Sequence, residues 1–127
     1  MKFQFSANSY FDFRQKTNKS NPLITIENGE KYGWFFNDEI QNLYLNKPYL
    51  NEIVVELEKV INTDMNKVYS FGYEAYLIEC HRNKSLVKDM TENEQVVGEI
   101  KTTELFEMLS KWCDFVNQFE EKHLSCE

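Results

Sequence analysis

An α+β fold, with one antiparallel sheet packed by two main helices in a single domain over 1–127, is predicted by three features of the chain. Apolar residues recur at the 3.6-residue period over 47–62 and again over 102–120. Between these segments, residues 68–101 carry short alternating apolar stretches separated by polar turns. The length of 127 residues suits one domain, and 42% apolar residues with 15% aromatics supply a sizeable core.

Residues 2–14 hold Phe3, Phe5, Tyr10, Phe11 and Phe13 in an imperfect alternation that predicts one strand. The polar run KTNKSN, 16–21, reads as a loop. PLITIE, 22–27, alternates Ile24 and Ile26 against Thr25 and Glu27. Asn28-Gly29 then suits a tight turn before YGWFF, 32–36, so a hairpin is expected there. In its second strand, Gly33 marks a bulge or close approach, and the Trp34 indole N–H needs a partner if buried.

Helical spacing starts after Asn37, with a short helix over Asp38–Tyr44 and a longer one over Lys47–Asn62. Asn46 is placed to cap the longer helix, and Pro48 sits in its first turn, where no intrahelical N–H bond is lost. Leu50, Ile53, Val54, Leu57, Val60 and Ile61 share one face, opposite Glu52, Glu56, Glu58 and Lys59. VYSFGYEAYLIECHR, 68–82, reads as a strand with Gly72 at a turn or bulge; Tyr76, Ile78 and Cys80 face one way, Glu79 and His81 the other. KSLVKDM and EQVVGEIK predict two further strands joined by the polar loop Thr91–Glu94, completing an antiparallel meander. In the last helix, Thr102 or Thr103 can accept the first N–H bonds, and Glu104 and Glu107 favour its positive end. Leu105, Phe106, Leu109, Trp112, Cys113, Val116 and Phe119 form its apolar stripe.

Fourteen basic and twenty-one acidic residues give a net charge of −7. That charge repels phosphates and anionic membranes at long range, so neither nucleic acid nor membrane is expected as a partner. The imbalance lies in residues 48–127, with eight basic and sixteen acidic groups, against six and five in residues 1–47. MKFQFSANSYFDF lacks the apolar centre of a signal peptide, and no run approaches the roughly 20 apolar residues of a membrane span, so the cytoplasm is the expected location. Three cysteines, Cys80, Cys113 and Cys126, suit reduced thiols, two of them in the core.

The Cys80-His81 pair is a poor nucleophile and base, because neighbours on a strand point to opposite faces. A metal set drawn from Cys80, His81, His123 and Cys126 lacks the paired close spacings of a zinc site. Glu74 with Glu79, or Asp89 with Glu92 and Glu94, could pair carboxylates for acid-base work or hold a cation. The chain has no glycine-punctuated calcium loop, phosphate-cradling glycine loop, GxSxG elbow or HExxH. No catalytic, cofactor or metal role is therefore assigned to any residue, and no enzymatic activity is expected. What remains is a binding surface: Glu74, Glu79, Asp89, Glu92, Glu94 and Glu99 are expected to form an acidic face for a strongly basic protein.

GYEAYLIECHRNKSLV followed by EIKTTELFEMLSKWCDFV, within residues 68–120, resembles the small cytoplasmic immunity proteins of bacterial contact-dependent growth inhibition and other polymorphic toxin systems. In that style, a strand meander leads into a threonine- or serine-capped helix carrying the spacing seen in Glu104, Leu105, Leu109, Trp112 and Phe115. The resemblance implies a toxin inhibitor that binds one cognate toxin domain, often a nuclease, and has no catalytic residues of its own. An acidic partner suits the basic cleft of such a nuclease. The same composition also suits a phage-encoded inhibitor of a bacterial nuclease defence system. A small ligand-binding domain is the third reading, and it would need a deep pocket lined by convergent polar groups.

Overall fold

A computed structural model describes residues 1–33, 35–63 and 66–125, with the backbone alone at 37, 38 and 120–125. Trp34 and the His123–Cys126 metal pairing therefore lie outside the described residues. The architecture is α+β, with two antiparallel sheets and two main helices. Among the described residues, no helix is long and apolar enough to cross a membrane.

The first sheet is a two-stranded ribbon. Strand β1 (Phe3–Asp12) pairs along its full length with β2 (Thr17–Ile26), from Phe3 opposite Ile26 to Asp12 opposite Thr17. The expected hairpin of 22–27 with 32–36 does not form, and KTNKSN is no loop, because most of it is the first half of β2. Both differences have physical causes. The outer half of the ribbon is solvated on both faces, so polar residues can extend its ladder without any apolar alternation to announce them. Phe35 and Phe36 are 0% and 2% exposed; consecutive strand residues would point to opposite faces, whereas helical turns bury both rings. The chain accordingly runs through short irregular helical turns over Gly29–Tyr32, Phe35–Glu39 and Ile40–Leu45, in place of a strand and a regular short helix. Asn28 does adopt a left-handed conformation suited to a turn, at φ 55°, but it opens the first of these helical turns. Gly33, at φ 116°, fits against the Val87 side chain.

Helix α1 (Lys47–Asn62) follows its sequence pattern closely. The Asn46 side chain accepts the Tyr49 N–H at 3.2 Å, Pro48 lies in the first turn, and Leu50, Ile53, Leu57 and Val60 are buried, with Val54 and Ile61 half-buried beside them.

The expected single strand over 68–82 is two: β3 (Tyr69–Tyr73) and β4 (Tyr76–Cys80). The turn falls at Glu74-Ala75, with Glu74 itself left-handed at φ 53°. Gly72 lies inside β3, opposite Leu77. There the Tyr49 hydroxyl accepts the Gly72 N–H at 2.8 Å and donates to the Gly72 carbonyl at 2.9 Å, tying α1 to the sheet edge. Strands β5 (Lys84–Asp89) and β6 (Gln95–Lys101) complete a meander of order β3-β4-β5-β6. A bulge in β6 opposite Val87-Lys88 leaves Val96 and Val97 exposed in succession.

Helix α2 (Thr102–Ser125) packs with α1 on one face of this sheet. Phe71, Ile78, Cys80, Val87 and Ile100 from the sheet meet Leu105, Met108, Leu109, Trp112, Cys113 and Val116 from the helix. The Thr102 hydroxyl does not cap its helix: it is buried, donates to the His81 carbonyl, and pairs with Ser85 Oγ at 2.8 Å. The ribbon joins this body only at its base. Phe5 stacks on Phe115 at 5.1 Å and meets Trp112 at 5.6 Å. The Gln41 side chain accepts the Ile24 N–H and donates to the Pro22 carbonyl, standing in for a third strand along the outer edge of β2.

Candidate functional site

The six carboxylates expected to form one acidic face are divided by the meander into two settings. On the open face of the four-stranded sheet, Glu79 accepts from Lys88 Nζ at 2.8 Å and contacts His81 Nε2 at 2.7 Å. Glu99 lies 3.4 Å from Lys84 Nζ. The adjacent strand β5 supplies both lysines, so this face carries alternating charge and has little net field. The Lys88 and His81 bonds hold the Glu79 carboxyl below its ordinary range, and the same bond to Glu79 raises Lys88.

The other four gather at one end of the sheet. In a meander, the β3–β4 and β5–β6 turns fall at the same end, and here they touch: the Met90 N–H donates to the Ala75 carbonyl at 2.7 Å. Glu74 therefore lies at the same end of the sheet as Asp89, Glu92 and Glu94. Asp89 is occupied with the loop itself, since its Oδ1 accepts the Thr91 N–H at 2.9 Å and the Thr91 hydroxyl at 2.6 Å, which hold its carboxyl below the usual range. Backbone bonds from Glu92 N–H to Asp89 O and from Gln95 N–H to Glu92 O close the turn, with Asn93 and Glu94 both left-handed. Glu74, Glu92 and Glu94 are exposed, and among the described residues no cation lies within ion-pair distance of them. The nearest lysine in register, Lys88, is already committed to Glu79.

Cys80 and His81 point apart, as strand geometry requires. Cys80 is fully buried and its thiol is pushed up to about 12, by burial above all, while His81 faces outward onto Glu79. Cys113 lies in the core as well, its sulfur against Asn51 Oδ1, and burial raises its thiol too. Among the described residues, no three His, Cys, Asp or Glu side chains converge on a point where a metal ion could sit. A surface groove between Tyr32 and β6 is lined by Lys31, Lys84, Lys101, Glu99 and Glu104, whose opposed charges converge on no single ligand type.

One surface escaped the sequence reading. At the tip of the ribbon, Tyr10, Phe11 and Phe13 are 41%, 45% and 83% exposed. Phe11 and Phe13 meet edge to face at 5.0 Å. The signal that could have located it is the segment Asp12-Phe-Arg-Gln-Lys16: an aspartate able to bond the next turn's N–H groups, followed by residues tolerant of a tight reversal.

Compared with protein families, curated proteins and solved structures, the chain matches no family model and no curated protein or solved structure.

Proposed function

We propose that this chain is an immunity-type protein that neutralises a cognate bacterial toxin domain, a basic nuclease, by stoichiometric binding through the acidic end of its sheet. The observation that carries the reading is that Glu74, Glu92 and Glu94, on two turns that brace each other at one end of the sheet, are exposed and have no ion-pair partner among the described residues. The backbone bonds within and between the turns fix where these carboxylates project, and complementary charge speeds encounter with a basic cleft. Glu79 and Glu99, already neutralised by lysines, and Asp89, engaged with Thr91, take lesser parts in this scheme.

Coexpression with the toxin domain encoded beside it should yield a 1:1 complex whose association rate falls steeply as salt rises. A rate indifferent to salt would remove the acidic mechanism. Charge reversal at Glu92 and Glu94 should slow association while leaving the unfolding transition in place; undiminished association would move the site elsewhere.

A further inference from the structure

The tip of the β1–β2 ribbon is built to hold its aromatic residues out. Asp12 Oδ1 accepts the N–H groups of Arg14 and Gln15, at 2.9 and 3.2 Å, and its other oxygen pairs with Lys19 at 3.0 Å. Lys16 supplies the left-handed residue that closes the reversal, at φ 54°. Asp12 and Lys19 thus neutralise each other within the turn. The surface that remains is two phenyl rings flanked by Arg14 and Lys16, which have no anionic partner within ion-pair distance among the described residues. A patch of this kind fits an apolar surface rimmed by carboxylates.

The chain itself carries apolar and acidic side chains together around the β5–β6 turn of the other sheet. Met90, Val96 and Val97 are 44%, 48% and 38% exposed, the valines because of the bulge in β6, and Glu92 and Glu94 lie between them in sequence on the same turn. We infer that the ribbon tip docks on a second copy of this chain, with Phe11 and Phe13 against Met90, Val96 and Val97, and Arg14 and Lys16 against Glu92 and Glu94. Both kinds of complementarity, apolar and ionic, are met by this one occupant. The contact joins two different patches, so it is head-to-tail, and a dimer is left with one free end on one copy and one free tip on the other. It uses carboxylates that the proposed function also uses, but it concerns this chain alone and does not depend on any toxin.

The test is sedimentation velocity of the purified chain over a concentration series, at low and high salt. Concentration-dependent growth in mass that weakens at least about tenfold at high salt is expected. Phe13→Ser with Arg14→Ser should abolish the growth, and so should Glu92→Lys with Glu94→Lys, each variant keeping the wild-type circular dichroism and unfolding midpoint. Mixing these two variants is the sharper arm. Each retains one intact half of a head-to-tail contact, so the mixture should form dimers and stop there. A chain that stays monomeric throughout overturns the proposal, as does association that survives both variants, or a mixture that gives no dimer. Wild-type monomer that instead co-floats with anionic vesicles, or shifts with a single-stranded oligonucleotide, would assign the tip to a lipid or nucleic acid and equally overturn it.

Discussion

The ribbon and the sheet-helix body are both rich in aromatic residues, yet they use them in opposite ways. In the body, Phe35, Phe71 and Trp112 are at most 2% exposed, enclosed by two helices and a four-stranded sheet. In the ribbon, Phe3 and Phe5 reach the body and are half-covered, while Phe11, further along the same strand, and Phe13, in the turn beyond it, are exposed and pack on each other. A two-stranded ribbon has no second layer to cover its faces and is marginal by itself in water. What decides whether an aromatic becomes core is the presence of a packing layer. The outer ribbon lacks one, which leaves its rings available for contacts outside the fold.

This contrast can be broken most severely at Trp112. Truncating it to alanine should cost about 3–5 kcal/mol, because the ring is fully buried and also supports Phe5 at the ribbon base. Denaturant unfolding measures this, and an unchanged midpoint would mean that the body is not held by this contact. Gly98→Ala comes next, with an expected loss of about 1–3 kcal/mol. A Cβ there would lie 1.9 Å from the Tyr32 carbonyl oxygen, so the turn crossing β6 would have to shift. A variant of wild-type stability would show that the crossing is loose.

A smaller effect is expected from acid. The Glu79 carboxyl titrates below its ordinary value of 4.5 in the folded chain, through Lys88 first and then His81. The stability it contributes is complete above that ordinary value and is lost as pH falls through the lower folded value. Glu79→Gln should therefore flatten the acid limb of a stability-pH profile over that window; a profile parallel to wild type would leave the pair without weight. Phe13→Ser should change stability least, by no more than about 0.5 kcal/mol, because the ring is exposed. A larger loss would mean that the tip aromatics stiffen the ribbon after all.

Both helices and the last two strands were legible because their residues are sorted by burial. Leu50, Ile53, Leu57 and Val60 repeat at helical spacing because α1 has one covered side. Where no side is covered, or both are, sorting vanishes. The outer half of β2 reads as a polar loop, and the buried Phe35-Phe36 pair reads as a strand. The β3–β4 turn was missed for another reason: its left-handed residue is Glu74, in place of the glycine or asparagine that normally flags one. The candidate site was half legible. Its acidic residues could be named from composition and strand order, but which of them meet a lysine depends on cross-strand register, and that is fixed by turns whose lengths the sequence did not declare.

Gln41 has a bearing on how this chain survives in a crowded solution. An open strand edge invites other chains to add to it, strand upon strand, toward insoluble fibres. Along β2, the Gln41 amide occupies the carbonyl of Pro22 and the N–H of Ile24, and Pro22 offers no N–H of its own. One side chain and one imino acid together deny a newcomer its footing where the edge is most apolar, and so keep a protruding strand pair from becoming a template.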